Sequence, residues 1–381
     1  MTTEPSSTSF PPPEPLYITG WGVLSPLGDG ADEFSDAVVE GRTALTDVSS
    51  MFEEELPGDQ AYALAEFRVR DYLGRKGTSF FDRSTALALV ASDRALKDTE
   101  LVVTDDNRDQ VGLVLGTTTG SIKSTSDYSR ETLTQRRPYL VNPVLFPNTV
   151  MNCAAGQAAI WHKLKGVNAT IAGGQLAGLS ALRYACRTLR WEDAEALLVG
   201  AVEEFSPHTA WATHLATSPV PAGEGAAVFV LETAAAVADS GRRADAEVLA
   251  VELATADPER GTEAAAEVFA QCIRRALRVA GVSADELWAV APGSTAAGRI
   301  ETAALAAVLG PAEPVRLNVA ELVGECHAAS GALQIAAVLA HHRSNPTLDG
   351  CPALVTSATR EGTVGAAVIR GWHRDRGDHG Q

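Results

Sequence analysis

Two stretches, 176–186 (LAGLSALRYAC) and 328–340 (AASGALQIAAVLA), are small or apolar almost all round. A helix without a polar stripe has no solvent face and belongs in an interior. A chain carrying two such helices must build layers to cover them. The remaining pattern supplies those layers, because short apolar runs alternate with helical segments from end to end. Residues 16–19 (LYIT), 111–115 (VGLVL), 196–202 (ALLVGAV), 226–231 (AAVFVL), 246–253, 287–291, 353–356 and 366–370 read as strands. Residues 263–279 read as a helix. Continuous apolar strands between helices predict a parallel-rich sheet covered on both faces. Each apolar helix falls late in its own β/α series, which predicts an α/β chain built from two similar halves. The boundaries are a disordered lead at 1–14, halves at 15–238 and 239–373 after a polar break near 239–245, and a polar tail at 374–381.

Composition narrows the function. Asp and Glu outnumber Lys and Arg by 48 to 31, a net charge of −17. Such a surface repels phosphate backbones, so no nucleic-acid partner is expected. No run approaches the roughly 18 apolar residues of a membrane span. The 5 cysteines (Cys153, Cys186, Cys272, Cys326 and Cys351) are scattered, with no C-x-x-C pair. Neither a zinc site nor a disulfide framework is expected, and a reducing cytoplasm fits. The first residues lack the basic and apolar regions of a signal peptide. Phosphate-cradling, dinucleotide, zinc-protease and serine-hydrolase motifs are absent, and the 8 histidines are mostly lone. No metal and no cofactor are therefore expected.

One stretch carries more information. Residues 142–178 read NPVLFPNTVMNCAAGQAAIWHKLKGVNATIAGGQLAG. Together with 16–28 (LYITGWGVLSPLG), Phe81-Asp82-Arg83 and 223–232 (GEGAAVFVLE), this text resembles the β-ketoacyl synthases, and in particular the chain length factor (ketosynthase β) subunits of bacterial type II polyketide synthases. The resemblance runs from about Leu16 to Arg370. It implies the thiolase fold, two duplicated α/β halves in a five-layer αβαβα sandwich, in obligate dimers.

The resemblance also implies where chemistry should sit, and there the chain departs from it. The family's Cys nucleophile stands at the N-terminus of the first interior helix, where the dipole favours a thiolate. That position is Gln175, whose amide cannot carry an acyl chain. Pro292, in Ala291-Pro292-Gly293-Ser294-Thr295, stands nearest the first family His, with Glu301 matching a downstream Glu. Ala320 stands for the Lys and Glu325 for the second His. His327 is two residues further on, a helical rotation that turns it away from the Glu325 direction. The gating C-terminal loop has become Thr359-Arg360-Glu361-Gly362-Thr363-Val364, without its Phe. All four catalytic positions and the gate are lost together, while the scaffold motifs remain.

The leading expectation is a non-catalytic subunit pairing with a catalytic ketosynthase α in a heterodimer. It would close the acyl tunnel at the dimer interface and set chain length, with Leu145, Phe146 and Met151 as tunnel and interface positions. Phe146 can serve equally as ordinary interface core. The FAS-like N-P-x-x-F-P-N-T text leans toward a reduced or polyene product. An acyl carrier protein would bring the growing chain. It is acidic as a class, so it should dock mainly on the partner, Arg136 and Arg137 being the best basic candidates here. The alternative is a Gln-type decarboxylase that primes synthesis from malonyl units. Those domains keep both His, and losing one oxyanion donor costs about 10²–10³ in rate.

Overall fold

The computed structural model describes residues 14–293 and 298–374. The lead at 1–14 and the tail at 374–381 fall outside this range apart from Glu14 and Arg374, and so do Ser294 and Thr295. The first series runs β1 (Leu16–Ser25), α1 (Ala31–Val39), α2 (Arg83–Thr99), β2 (Val111–Thr117), α3 (Ile122–Thr134), α4 (Cys153–His162), β3 (Asn168–Ala172), α5 (Ala177–Arg190), β4 (Ala196–Glu203), α6 (Pro207–Leu215) and β5 (Gly225–Thr233). The second runs β6 (Ala246–Thr255), α7 (Gly261–Ala280), β7 (Ala289–Pro292), α8 (Gly298–Leu309), β8 (Val315–Arg316), α9 (Ser330–Ser344), β9 (Pro352–Ala358) and β10 (Thr363–Gly371).

Hydrogen bonding places these strands in the order β8-β7-β9-β10-β6-β1-β5-β4-β2-β3. Reading outward from the β1/β6 junction, each side repeats the other. On both sides two antiparallel pairings are followed by two parallel ones. The sheet is therefore duplicated but mixed, not parallel-rich. A continuous apolar run reports burial on both faces and says nothing about strand direction. The junction itself is thin, with only Tyr17↔Glu247 and Ile18↔Ala246 paired.

Side-chain alternation along the strands assembles the layers. On β4, Leu197, Val199 and Ala201 join the central core, while Ala196, Leu198 and Val202 join the core under α2 and α4. On β10, Ala367 and Ile369 face the centre, whereas Val364, Ala366 and Val368 face α7 and α8. The layers are α2/α4, sheet, α5/α9, sheet and α7/α8, the five-layer thiolase arrangement. Strands expected at 16–19, 111–115, 196–202, 226–231, 246–253, 353–356 and 366–370 all form, and the 287–291 run forms from Ala289. The short strands β3 and β8 carried no sequence signal.

The two interior helices differ from expectation in one respect. Helix α9 is buried on every side from Gly331 to Ala340. Helix α5 buries Leu179, Ala181, Leu182, Ala185 and Leu189, yet exposes Tyr184, Arg187 and Arg190. Its apolar residues fall at helical spacing on one face, so it is amphipathic and only one side belongs to the core.

The scaffold motifs meet one another. Glu224 of the G-E-G segment is fully buried and accepts from both Arg83 Nε (2.6 Å) and Arg83 Nη2 (2.5 Å). It also accepts from the Leu64 and Phe205 N–H groups, at 2.6 and 2.9 Å. A buried carboxylate with this many donors is satisfied, which explains why Arg83 and Glu224 persist together.

Candidate functional site

Strand β3 ends at Ala172, and a single 3₁₀ turn, Gly174–Leu176, leads into α5. Gln175 therefore sits just before the helix N-terminus, half-buried. Across from it, Gly324 turns the chain with φ +79°, and a Cβ there would lie 2.5 Å from the Tyr62 ring. Gly223 is equally constrained, since a Cβ would lie 2.2 Å from the Val323 carbonyl oxygen. These glycines let 221–223 run alongside Glu325, whose N–H donates to Pro221 O (2.9 Å) while its carbonyl accepts from Gly223 N–H (3.0 Å). The Glu325 side chain is thereby fixed and buried. Gln175 Nε2 donates to its Oε1 at 2.9 Å. The residue at the expected nucleophile position and the residue at an expected His position are thus bonded to each other.

Both line a cleft of about 520 Å³, with Ser180, Thr213, Ser218, His327, Arg360 and Glu361 among its walls. His327 is the correction. It does not face away, because 327–329 form a 3₁₀ turn, α9 begins only at Ser330, and His327 itself has φ +40°. The rotation of a regular helix does not apply to that backbone. The imidazole Nε2 lies 2.9 Å from Thr213 Oγ1. Behind it, burial pushes the Glu203 carboxyl up, an effect opposed by the neighbouring His327 and by bonds from Thr118 and the Ala328 N–H. Thr213 carried no signal in the sequence; only the fold brings α6 against this turn.

Pro292 and Ala320 are elsewhere. With Gly293, Val323 and Gln334 they line a small cavity with room for about one water molecule. Glu301 is buried beside it, accepting from Thr356 Oγ1 (2.6 Å) and the Gly293 N–H (3.2 Å). That carboxylate is an anchor for the β7 and β9 ends. Among the described residues, no group of three or more His, Cys, Asp and Glu could hold a metal ion, and no helix is long and apolar enough to cross a membrane.

The N-P-x-x-x-P-N-T segment forms a 3₁₀ stretch, Pro143–Thr149, packed against α3. Asn142 Oδ1 accepts the Val144 N–H, and Asn148 Nδ2 reaches the Phe80 carbonyl (2.9 Å), which pins the segment at both ends. Leu145 is half-buried, whereas Phe146 is 56% exposed and Met151 50%. The Phe146 ring leans on Tyr128 with centroids 5.9 Å apart. Val144 in this segment and Tyr139, Leu140 and Val150 flanking it are also exposed, so the lone chain presents a sizeable apolar patch here.

The family model for the β-ketoacyl synthase N-terminal domain matches residues 13–236. A solved structure described as the ishigamide ketosynthase/chain length factor is 39% identical, with a TM-score of 0.84 over 94% of this chain and 99% of that one. A β-ketoacyl synthase from Burkholderia phymatum is 22% identical at TM-score 0.81, covering 94% and 99%, a likeness of fold alone. A 3-oxoacyl-[acyl-carrier-protein] synthase 2 of Staphylococcus aureus is 26% identical over 254 residues, 61% of each protein. That of Vibrio harveyi is 27% identical over 191 residues, 50% of this chain and 46% of the relative. The chain thus spans about half to three fifths of the curated relatives it matches. A duplicated five-layer sandwich, joined by the Arg83–Glu224 motif contact and matched by the family model over more than half its length, makes this chain a member of the β-ketoacyl synthase family.

Proposed function

We propose that this chain is a non-catalytic chain length factor. It pairs in the cytoplasm with a catalytic ketosynthase α subunit, which also provides most of the docking surface for the acyl carrier protein. The observation that carries the reading is the Gln175–Glu325 hydrogen bond. A condensing site needs a thiolate and neutral donors that stabilise an oxyanion. Here an amide replaces the thiolate, and the buried group facing it is a carboxylate, which repels a developing oxyanion. With Pro292 and Ala320 the chain has no general base or cation at the other two positions.

In this reading the exposed segment around Leu145, Phe146 and Met151 is covered by the partner and forms the far wall of its acyl tunnel. An apolar patch of that kind is costly in water and inexpensive in an obligate interface. The product class leans toward reduced or polyene chains.

The test is co-expression with a cysteine-bearing ketosynthase, followed by mass analysis of carrier-bound products. Products that require both chains, and persist when Gln175 is changed to Ala, fit the proposal. The second reading, malonyl decarboxylation by this chain, has one foothold in the His327–Thr213 pair of the cleft. Carbon dioxide release by the purified chain alone, abolished by Gln175→Ala, would establish that reading instead.

A further inference from the structure

Helix α5 carries its polar residues on one side. Ser180, Arg183, Tyr184, Arg187, Arg190 and the following Trp191 fall within roughly 120° of arc at 3.6 residues per turn. Tyr184 is 42% exposed and Trp191 65%. The Arg187 guanidinium lies over the Trp191 ring, 4.6 Å from its centroid. Among the described residues, none of the three arginines has a carboxylate within ion-pair distance. In a chain with 48 acidic and 31 basic side chains, three unpaired arginines on one helix face run against the overall charge. The face lies beside β3, the last strand of the sheet, whose outer edge has no partner strand among the described residues. Its first residue, Ser180, belongs to the wall of the Gln175 cleft.

We infer that this basic, aromatic face is a charge-selective docking surface for a non-identical ketosynthase subunit that presents Asp and Glu side chains to it. The inference rests on the heterodimer reading above and says what selects the partner. A two-fold contact between identical chains brings the same patch against itself. It would set Arg183, Arg187 and Arg190 against their own copies, and like charges across a contact suppress the wrong pairing. An acidic partner surface pairs the guanidinium forks instead, while Tyr184 and Trp191 supply the apolar area that interfaces favour. A second copy of this chain is therefore the disfavoured occupant.

The experiment compares the wild-type chain, R183E/R187E/R190E and R183K/R187K/R190K. Arg187 and Arg190 are exposed and Arg183 is half-buried, so equal melting temperatures are required to confirm intact folds. The probe is a catalytic, cysteine-bearing ketosynthase subunit that the wild-type chain retains on an affinity column, with affinities measured by sedimentation or biolayer interferometry. The Glu variant should bind at least tenfold more weakly, and the Lys variant within a few-fold of wild type. Raising NaCl from about 50 to about 500 mM should weaken the wild-type complex and narrow the gap, because the shorter Debye length screens the face. Equal binding by wild type and the Glu variant leaves the heterodimer standing and overturns the charge assignment. A wild-type chain that dimerises with itself as tightly at low salt overturns it too. If the wild-type chain retains no ketosynthase subunit, the heterodimer reading fails first, and this inference with it.

Discussion

Replacing Gln175 by Glu tests the contact on which the functional reading stands. The amide nitrogen lies 2.9 Å from Glu325 Oε1, and Glu325 is 3% exposed. Two carboxylates at that separation repel by about 6 kcal/mol at an effective dielectric of about 20. The observable cost is smaller. Gln175 is half-buried at the edge of a 520 Å³ cleft, so a Glu can swing partly into water and is screened there. About 1–3 kcal/mol should remain, most of it from the lost charge-assisted donor. In a chain of this size that lowers the melting temperature by roughly 1–4 °C. Gln175→Ala loses the donor without adding a charge, which separates the two contributions. The assay is thermal unfolding of all three proteins under one buffer condition. A Glu variant as stable as wild type would refute the reasoning and place Glu325 outside the reach of Gln175 in solution.

Three further outcomes are expected. In purified heterodimers, Phe146→Ala should lengthen carrier-bound products and Leu145→Trp shorten them. Overpacking a wall costs about 1–3 kcal/mol and each 1.4 kcal/mol is a decade, so mass distributions should shift about tenfold or more, and unchanged distributions for both variants would put the gate elsewhere. Burial, followed by the nearby Asp82 charge, pushes the Glu204 carboxyl up from 4.5 to about 8. The folded chain holds this proton after the unfolded chain has released it, so its stabilising contribution is full at low pH and is lost as pH rises through that window. Glu204→Gln should match wild type near pH 5 and exceed it above pH 8 in urea unfolding; a parallel pair of pH profiles would contradict this. Finally, Arg343, with a side chain 5% exposed, contacts Asp98 at 3.0 Å, Asp32 at 3.1 Å and Asp245 at 3.7 Å. Arg374 stays 3.2 Å from Asp98 and 3.5 Å from Asp245, so Arg343→Met should leave these carboxylates only partly compensated and cost about 1–3 kcal/mol, and adding Asp98→Asn should recover part of it. No recovery would mean the arginine acts through packing alone.

Much of this protein is legible in one dimension, for a physical reason. Strand cores such as Val111–Thr117 and Ala196–Glu203 are apolar on both faces because both are covered, and that pattern survives without coordinates. The residues at Gln175, Pro292, Ala320 and Glu325, where the resemblance implies Cys, His and Lys, are a matter of residue identity and are legible once the motifs are aligned. Strand direction, by contrast, leaves no trace in composition, which is why a parallel-rich sheet was expected and a mixed one is found. The short edge strands Asn168–Ala172 and Val315–Arg316 depend on neighbours distant in sequence for their hydrogen bonds. His327 entered the cleft because its backbone adopts φ +40° in a turn set by contacts with Thr213 and the Glu203 region, and local periodicity carries no information about such a turn. The basic face of α5 was hidden for a similar reason. Its arginines are visible in the text, but only packing decides which side of a helix the core claims. The sequence by itself determined which residue types stand at this site. Tertiary structure decided which of them touch, and which surface is left exposed, because both depend on packing between segments distant in the chain.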